Sequence, residues 1–394
     1  MPIAQRDGHP GPAALAPDRP RLGVLATHPI QYQAPLYAEL ARRRAVHLEV
    51  AYLGQAGSAP CYDPGFGITL AWDIDLLAGY PSVELTRRPL AGKPAWLVAA
   101  SRWLRRQDIV VLHGHADPEM LLAAAACRVL GVPYLLRGDS QPEPSATGAR
   151  RAARHLVAGT VVRGAAGALP AGERNAAFYR RYGQLRQYRA PFSVDTERFQ
   201  RVSAAARPAR SSRLTALGLD PARPTVVFSG KLIDQKRPLD LARAVERCRV
   251  PLNLLLLGDG PLRADLGRFE QRLPVRCLGF VNQSELPAWY AAGDILALPS
   301  GREPWGLVVN EGMACGLVPV VSDAVGCAPD LVAGVGEVFP AGDAAALAEA
   351  LARVAGGLPA RQALLPGRLA GFTIAETAAG YERAAAALAR RRLT

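Results

Sequence analysis

Ten short runs of mainly apolar residues, five on each side of an interruption near residue 200, constrain this chain more than any other feature. Leu22–Ala26, Val46–Leu53, Ile109–Leu112, Tyr134–Leu136 and Gly167–Leu169 form the first series, with helical stretches such as Ala34–Arg43 and Glu119–Leu130 between them. Thr225–Phe228, Leu254–Leu257, Arg276–Leu278, Ile295–Leu298 and Val318–Val321 form the second. Runs this short suit strands buried on both faces, and strands alternating with helices predict parallel sheets. The fold class is therefore α/β, with two Rossmann-like domains, and 394 residues suffice for both cores. Open parallel sheets take ligands at the carboxyl ends of their strands, so two sheets with those edges facing enclose a deep cleft. The expected division is a disordered tail at 1–20, a first domain at 21–200, a linker at 201–224, a second domain at 225–368 and a C-terminal helix within 369–394.

Composition narrows the class. Hydrophobic residues make up 49% and charged residues 21%, values of a globular chain. The six cysteines are scattered without a C-x-x-C pair, which predicts reduced thiols in the cytosol and no structural zinc. The Pro/Ala/Gly-rich tail has no apolar core of the kind a signal peptide carries, and no apolar stretch reaches membrane-spanning length. A cytoplasmic location is expected, with peripheral contact at the inner face of the cell membrane as an extension of it.

The net charge is +13, yet three of the 47 basic residues are lysines: Lys93, Lys231 and Lys236. Arginine dominance of that kind reflects genome composition, and it makes the close pair Lys231/Lys236 conspicuous. No basic patch interleaved with aromatics is present, so nucleic acid is not an expected partner. Anionic substrates or an anionic membrane fit better. Arg150–Arg189 holds nine arginines against one acid, Glu173. It reads either as a solvated helical surface or as a face drawn to anionic lipid.

The densest chemistry lies in Pro299–Gly316. Ile295–Leu298 predicts a strand, Pro299–Gly306 a loop and Leu307–Cys315 a helix that stops at Gly316. A helix start leaves free N–H groups and a positive dipole end, which together form an anion site. Gly306 keeps a side chain from blocking close approach of a phosphate. Glu303 then sits in the loop, placed for sugar hydroxyls, and Glu311 one turn into the helix, placed for a ribose. After the first strand of the second half, Gly230 permits a tight turn and Lys231 and Lys236 can converge on a diphosphate. Gly258 and Gly260 do not extend to G-x-G-x-x-G, because position 263 is Arg, which weakens a dinucleotide reading. His113 and His115 flank Gly114 at a strand end. Two histidines so spaced can suggest a metal, but no third ligand follows, and no metal is expected.

Pro299–Gly316 resembles the E-x7-E region of the retaining nucleotide-sugar glycosyltransferases of family 4, which have the GT-B fold. Phe228–Lys236 resembles that family's G-R-L-x-x-x-K stretch, with Lys231 where Arg is usual, and Leu257–Arg263 its G-x-G-P turn. Gly279–Val281 resembles its nucleotide-base pocket, and His113–His115 its H-x-H stretch. The resemblance implies a first domain for the acceptor, a second for the donor, and a last helix returning to the first domain. It implies a catalytic set of Glu303, His115, Lys231 and Lys236. It implies donor contacts from Gly230, Lys231, Lys236, Gly258, Val281, Glu303, Gly306, Leu307, Val308 and Glu311. The donor would be UDP- or GDP-linked, with no other cofactor, and the acceptor a glycan, lipid-linked or small-molecule hydroxyl. The family's Gly-Gly loop after the first strand is replaced here by Thr27–Tyr32. His28, Gln31, Tyr32 and Arg137 are assigned to the acceptor, with Tyr62–Gly67 and the turn Arg137–Ser140 further candidates on that side. Rival readings are a nucleotide-sugar epimerase of the same fold and a non-catalytic partner subunit that binds donor.

Overall fold

Strand residues that are apolar at every position have to be covered on both faces, and the structure satisfies this twice. The computed structural model describes residues 19–54, 60–85, 94–115, 117–142 and 149–392, so most of the expected N-terminal tail lies outside the described residues. The first domain contains β1 (Arg21–Ala26), β2 (His47–Tyr52), a hairpin of β3 (Cys61–Asp63) and β4 (Ile68–Leu70), β5 (Ser82–Glu84), β6 (Ile109–His113), β7 (Tyr134–Gly138) and β8 (Gly167–Pro170). The second contains β9 (Thr225–Ser229), β10 (Asn253–Leu257), β11 (Val275–Gly279), β12 (Ile295–Leu298), β13 (Val318–Ser322) and β14 (Glu337–Phe339).

The sheet orders are β5-β2-β1-β6-β7-β8 and β11-β10-β9-β12-β13-β14, with every pairing within the two sheets parallel. Each order runs outward from its first strand in both directions. That creates a switch point between β1 and β6 in one sheet and between β9 and β12 in the other, where loops diverge and leave a crevice. All ten expected strands occur. The edge strands β5 and β14 and the hairpin were not expected, because each has three residues and is partly exposed.

The helix Ile374–Arg392 lies on the helix Ala34–Arg43 of the first domain, with Ala378, Tyr381, Ala384 and Leu388 in the core that holds Tyr37 and Leu40. Arg43 clamps Glu382 through two bonds of 2.7 Å.

One sequence reading needs correction. Residues 201–224 are not a linker. The helices Thr196–Ala206 and Arg210–Ala216 cover the second sheet, with Phe199, Leu214 and Leu219 inside its core. The arginines that suggested an irregular segment tie down loop carbonyls. Arg207 donates to Ala291 and Gly293 at 2.8 and 2.9 Å, Arg213 to Ala288 at 2.8 Å, and Arg210 pairs with Asp294 at 2.6 Å. Within Arg150–Arg189, three of the described arginines have protein partners. Arg174 bonds the Asp323 carbonyl across the domain seam, Arg180 pairs with Glu173, and Arg189 bonds Gly371. The side chains of Arg150, Arg151 and Arg154 lie outside the described residues.

Leu214 is fully buried, so Leu214→Ala should cost about 2–5 kcal/mol in chemical denaturation. A loss below about 0.5 kcal/mol, the range of exposed positions, would return the segment to linker status.

Candidate active site

The loops after β9 and β12 are neighbours because their strands are, and they are bonded to each other. Gly301 N donates to the Gln235 carbonyl at 2.8 Å, and Gln235 Nε2 to the Arg302 carbonyl at 2.9 Å. This link brings Lys236 Nζ onto Glu303 Oε2, with Ser300 Oγ 3.4 Å from the same oxygen. Glu303 is also held through its backbone, donating to Ala324 at 3.3 Å and accepting from Gly326 at 2.9 Å. Lys231 points the other way and bonds both oxygens of Asp63, on β3, at 2.8 and 2.9 Å.

The floor is built of glycine for steric reasons. A Cβ on Gly258 would lie 1.8 Å from the Gly230 carbonyl oxygen, so the ends of β9 and β10 can touch only without side chains. Gly306 caps the helix Leu307–Ala314 at φ 94°, a left-handed conformation that disfavours other residues. Leu307, Val308 and Val281 are half-buried at this edge. One turn in, Glu311 is buried and accepts from Tyr290 Oη at 2.8 Å. Burial pushes its carboxyl up to about 7, against the opposing effect of that hydrogen bond.

The first domain supplies the facing wall. His113 is a fold residue: Gln33 bonds its Nδ1 at 3.0 Å, and Tyr37 and Tyr381 stand 3.2 Å from its Nε2. Burial, with Arg137 nearby, pushes its pKa down to about 3, so the ring is neutral. His115 is half-buried 5.3 Å from Phe178, and burial lowers its pKa as well. In the loop after β1, Thr27 Oγ1 bonds His28 Nδ1 at 3.0 Å, Gln31 is half-buried, and Tyr32 lies 6.2 Å from Phe192. Burial pushes Tyr32 up to about 12, and the charges of Asp139 and Glu303 add to the shift.

Arg137 does not belong among the acceptor contacts. It is buried, its donors go to the carbonyls of Ala190, Leu169 and Pro191, and its guanidinium lies 4.8 Å from the Phe192 ring centre. Asp139, two residues on, does reach the cleft. Asp139 is itself exposed to solvent, and neighbouring protein atoms raise its carboxyl above the usual range, with the charge of Glu303 reinforcing the shift. Gln141 then crosses the cleft to the carbonyls of Glu303 and Pro304 at 3.0 and 2.5 Å. Gln141 and Tyr290 were not singled out from the sequence, Asp63 stood only within the Tyr62–Gly67 candidate on the acceptor side, and no pattern could have given their partners. Asp63 is 168 residues from Lys231 and Gln141 162 from Glu303. Among the described residues, no group of three His, Cys, Asp or Glu could hold a metal ion.

Residues 223–356, which carry the lysine loop, Glu303 and Glu311, match the family described as "Glycosyl transferases group 1". The chain is 31% identical over 261 residues to the D-inositol 3-phosphate glycosyltransferase of Xylanimonas cellulosilytica, covering 63% of this chain and 57% of that protein. It is 34% identical over 113 residues to the sulfoquinovosyl transferase SQD2 of Arabidopsis thaliana, covering 29% and 22% respectively. The chain therefore spans little more than half of the first relative and under a quarter of the second. Anabaena Alr3699/HepE, solved in complex with UDP and glucose, superposes with a TM-score of 0.70 at 16% identity, over 94% of this chain and 100% of that one. The protein has the GT-B fold, two Rossmann-like domains facing across a cleft.

The raised Glu311 carboxyl has a consequence for stability. Between its ordinary value of 4.5 and about 7, the folded chain binds a proton that the unfolded chain releases. Stability is therefore lost as pH rises through that window and levels off above it. Between about pH 5 and about pH 8, the Tm of Glu311→Gln should rise relative to that of the unmodified protein. A difference between the two that stays constant with pH would show that Glu311 is ionised throughout.

Proposed function

We propose that this protein transfers a sugar from a nucleotide-sugar donor to a hydroxyl acceptor, with retention of anomeric configuration. The observation that carries the reading is the convergence of Lys236, Glu303 and the Gly306-capped helix start at the β9/β12 switch point. Positive charge and free N–H groups gather there, where a departing diphosphate develops negative charge. The family match over 223–356 and the UDP-bound Anabaena structure support a nucleotide-sugar donor, and make UDP the first nucleotide to test. Lys231, Lys236 and the N–H groups near Gly306, Leu307 and Val308 hold the diphosphate. Glu303 takes the sugar hydroxyls, Glu311 the ribose, and Val281 lines the base pocket. His115, neutral at physiological pH, can donate to the sugar from the facing wall. His28, Gln31, Tyr32 and Asp139 meet the acceptor. Attack proceeds on the face the leaving group departs from, with the leaving phosphate taking the acceptor proton. The lysines do the work of a divalent cation, and we take the reaction to be metal-independent.

Lys236→Ala should lower turnover on the order of ten- to a thousandfold, and a chelator should leave the unmodified enzyme's rate unchanged. Calorimetry with nucleotide diphosphate separates the carboxylates. Glu311→Ala should weaken that binding, whereas Glu303→Gln should leave it within about twofold while turnover collapses. Equal losses of binding in both variants would refute the division of roles.

We also propose that the first domain docks on an anionic bilayer, which would bring a lipid-linked acceptor within reach. Six of the nine exposed large hydrophobics among the described residues are Leu97, Val98, Leu122, Val129, Leu156 and Val157. They lie on the helices Pro94–Leu104, Pro118–Leu130 and Ala149–Gly164, which pack side by side on one face of the first sheet. Arg102, Arg128 and Arg163 are exposed among them, and Glu119 is the one acid those helices carry. Apolar side chains interleaved with arginine suit the boundary between headgroups and acyl chains. No helix among the described residues is long and apolar enough to cross a membrane. Flotation on acidic vesicles should fall steeply with salt, and Arg128→Gln with Arg163→Gln should weaken it by roughly 1 kcal/mol per charge. Leu122→Glu with Leu156→Glu should abolish it. Equal flotation on neutral and acidic vesicles would sink the idea.

A further inference from the structure

The β3–β4 hairpin belongs to the first domain by sequence but makes its side-chain contacts with the second. Asp63 Oδ1 accepts from the N–H groups of Gly65 and Phe66 at 2.8 and 3.1 Å, so its carboxylate is aimed by its own turn. Both its oxygens then lie on Lys231 Nζ. The Phe66 ring centre is 5.2 Å from that ammonium group and 5.3 Å from Phe280, edge-on. Trp72, just past the hairpin, reaches the same Phe280 at 6.0 Å. Asn282 Nδ2 donates to the Ala71 carbonyl at 2.7 Å, and Ser284 N to the Asp73 carboxylate at 3.2 Å. Phe280 stands between Gly279 and Val281, in the turn assigned to the nucleotide base. The hairpin therefore lies over the second domain's strand ends, above both the diphosphate cation and the base wall.

We propose that Asp63 is a gating carboxylate of the donor site, occupying on Lys231 the place that the donor's diphosphate takes. The proposal rests on the reading of Lys231 as a diphosphate ligand. A carboxylate and a phosphate are the same kind of partner for an ammonium group, an anionic acceptor of charge-assisted hydrogen bonds. They compete on unequal terms, because the diphosphate carries more charge and is held at the same time by Lys236 and the helix start. The Asp63–Lys231 pair is suited to exchange: its side chains are 29% and 35% exposed, and ion pairs open to water are weak. Once Lys231 has turned to the diphosphate, Asp63 is left beside an anion and without its cation. Donor binding thus removes the strongest bond between hairpin and second domain, and product release restores it.

Calorimetry with UDP and GDP, and with UMP and GMP as controls, tests this on the full chain. Asp63→Asn removes the competing charge but keeps an oxygen for the turn. It should bind the diphosphate that the unmodified protein prefers three- to tenfold more tightly, with the monophosphate within twofold. Asp63→Ser, which also keeps an oxygen for the Gly65 N–H, should do the same. The gain should vanish in Asp63→Asn/Lys231→Ala. Diphosphate binding that is unchanged or weaker in both single variants overturns the gate, and Asp63 is then a positioning residue for Lys231. If the unmodified protein binds neither diphosphate, the donor reading falls and takes the gate with it.

Discussion

Lys236 and Glu303 are 67 residues apart in sequence and meet because β9 and β12 are adjacent at the point where the second sheet reverses direction. Much of the site follows from that adjacency. It places two loops side by side, lets Gln235 and Gly301 bond them together, and turns the start of the next helix toward the same spot. With side-chain exposures of 22% and 12%, the pair is withdrawn from bulk water without being sealed off. A partly desolvated ion pair orients both partners more firmly than a surface one, yet a charged ligand can still enter between them. Breaking the adjacency would scatter the site even if each residue were kept.

The seam between the domains is tied at that same loop. Trp305, two residues past Glu303, is buried against the first domain, 5.9 Å from Phe192. A Cβ on Gly172 would lie 2.3 Å from its ring, so a glycine there is what admits the indole. Gln141 holds the successive carbonyls of Glu303 and Pro304, and the Glu173 N–H bonds the Asp330 carboxylate at 3.2 Å. The loop that carries Glu303 is therefore positioned by both domains. A relative shift of the two domains would be felt directly at that carboxylate.

Strand positions were legible in the sequence because buried parallel strands are apolar at every position, a signal that survives without knowledge of neighbours. The helix end at Arg43 was legible from composition, and the end expected at Cys315 from Gly316 falls one residue earlier, at Ala314. Residues 201–224 failed because the code there is tertiary: Leu214, Leu217 and Leu219 are spaced among arginines and small residues, and their burial depends on a sheet that comes later in the chain. Arg137 failed differently. A polar residue at a strand end reads as a cleft residue, but its side chain turned inward to three carbonyls. Asp139, quoted only as part of the same turn, proved to be the residue that reaches the cleft. The hairpin was read as a turn on the acceptor side, since nothing in Tyr62–Gly67 states which domain it will touch.

The charge pattern can now be divided by what each cation does. The excess of arginine is largely structural where it is described. Arg137, Arg189, Arg207, Arg213, Arg361 and Arg368 all donate to backbone carbonyls, mostly where loops or domains meet. A guanidinium is suited to that task, being planar, weakly hydrated and able to serve several acceptors at fixed angles. The two described lysines are used otherwise, each against a carboxylate in the cleft. An ammonium is a compact point charge on a flexible stem, and exchanging one anion for another requires little more than rotation of that stem. In a chain that uses arginine almost everywhere else, the two described lysines each face a carboxylate, the kind of partner that the proposed donor diphosphate would replace on Lys231.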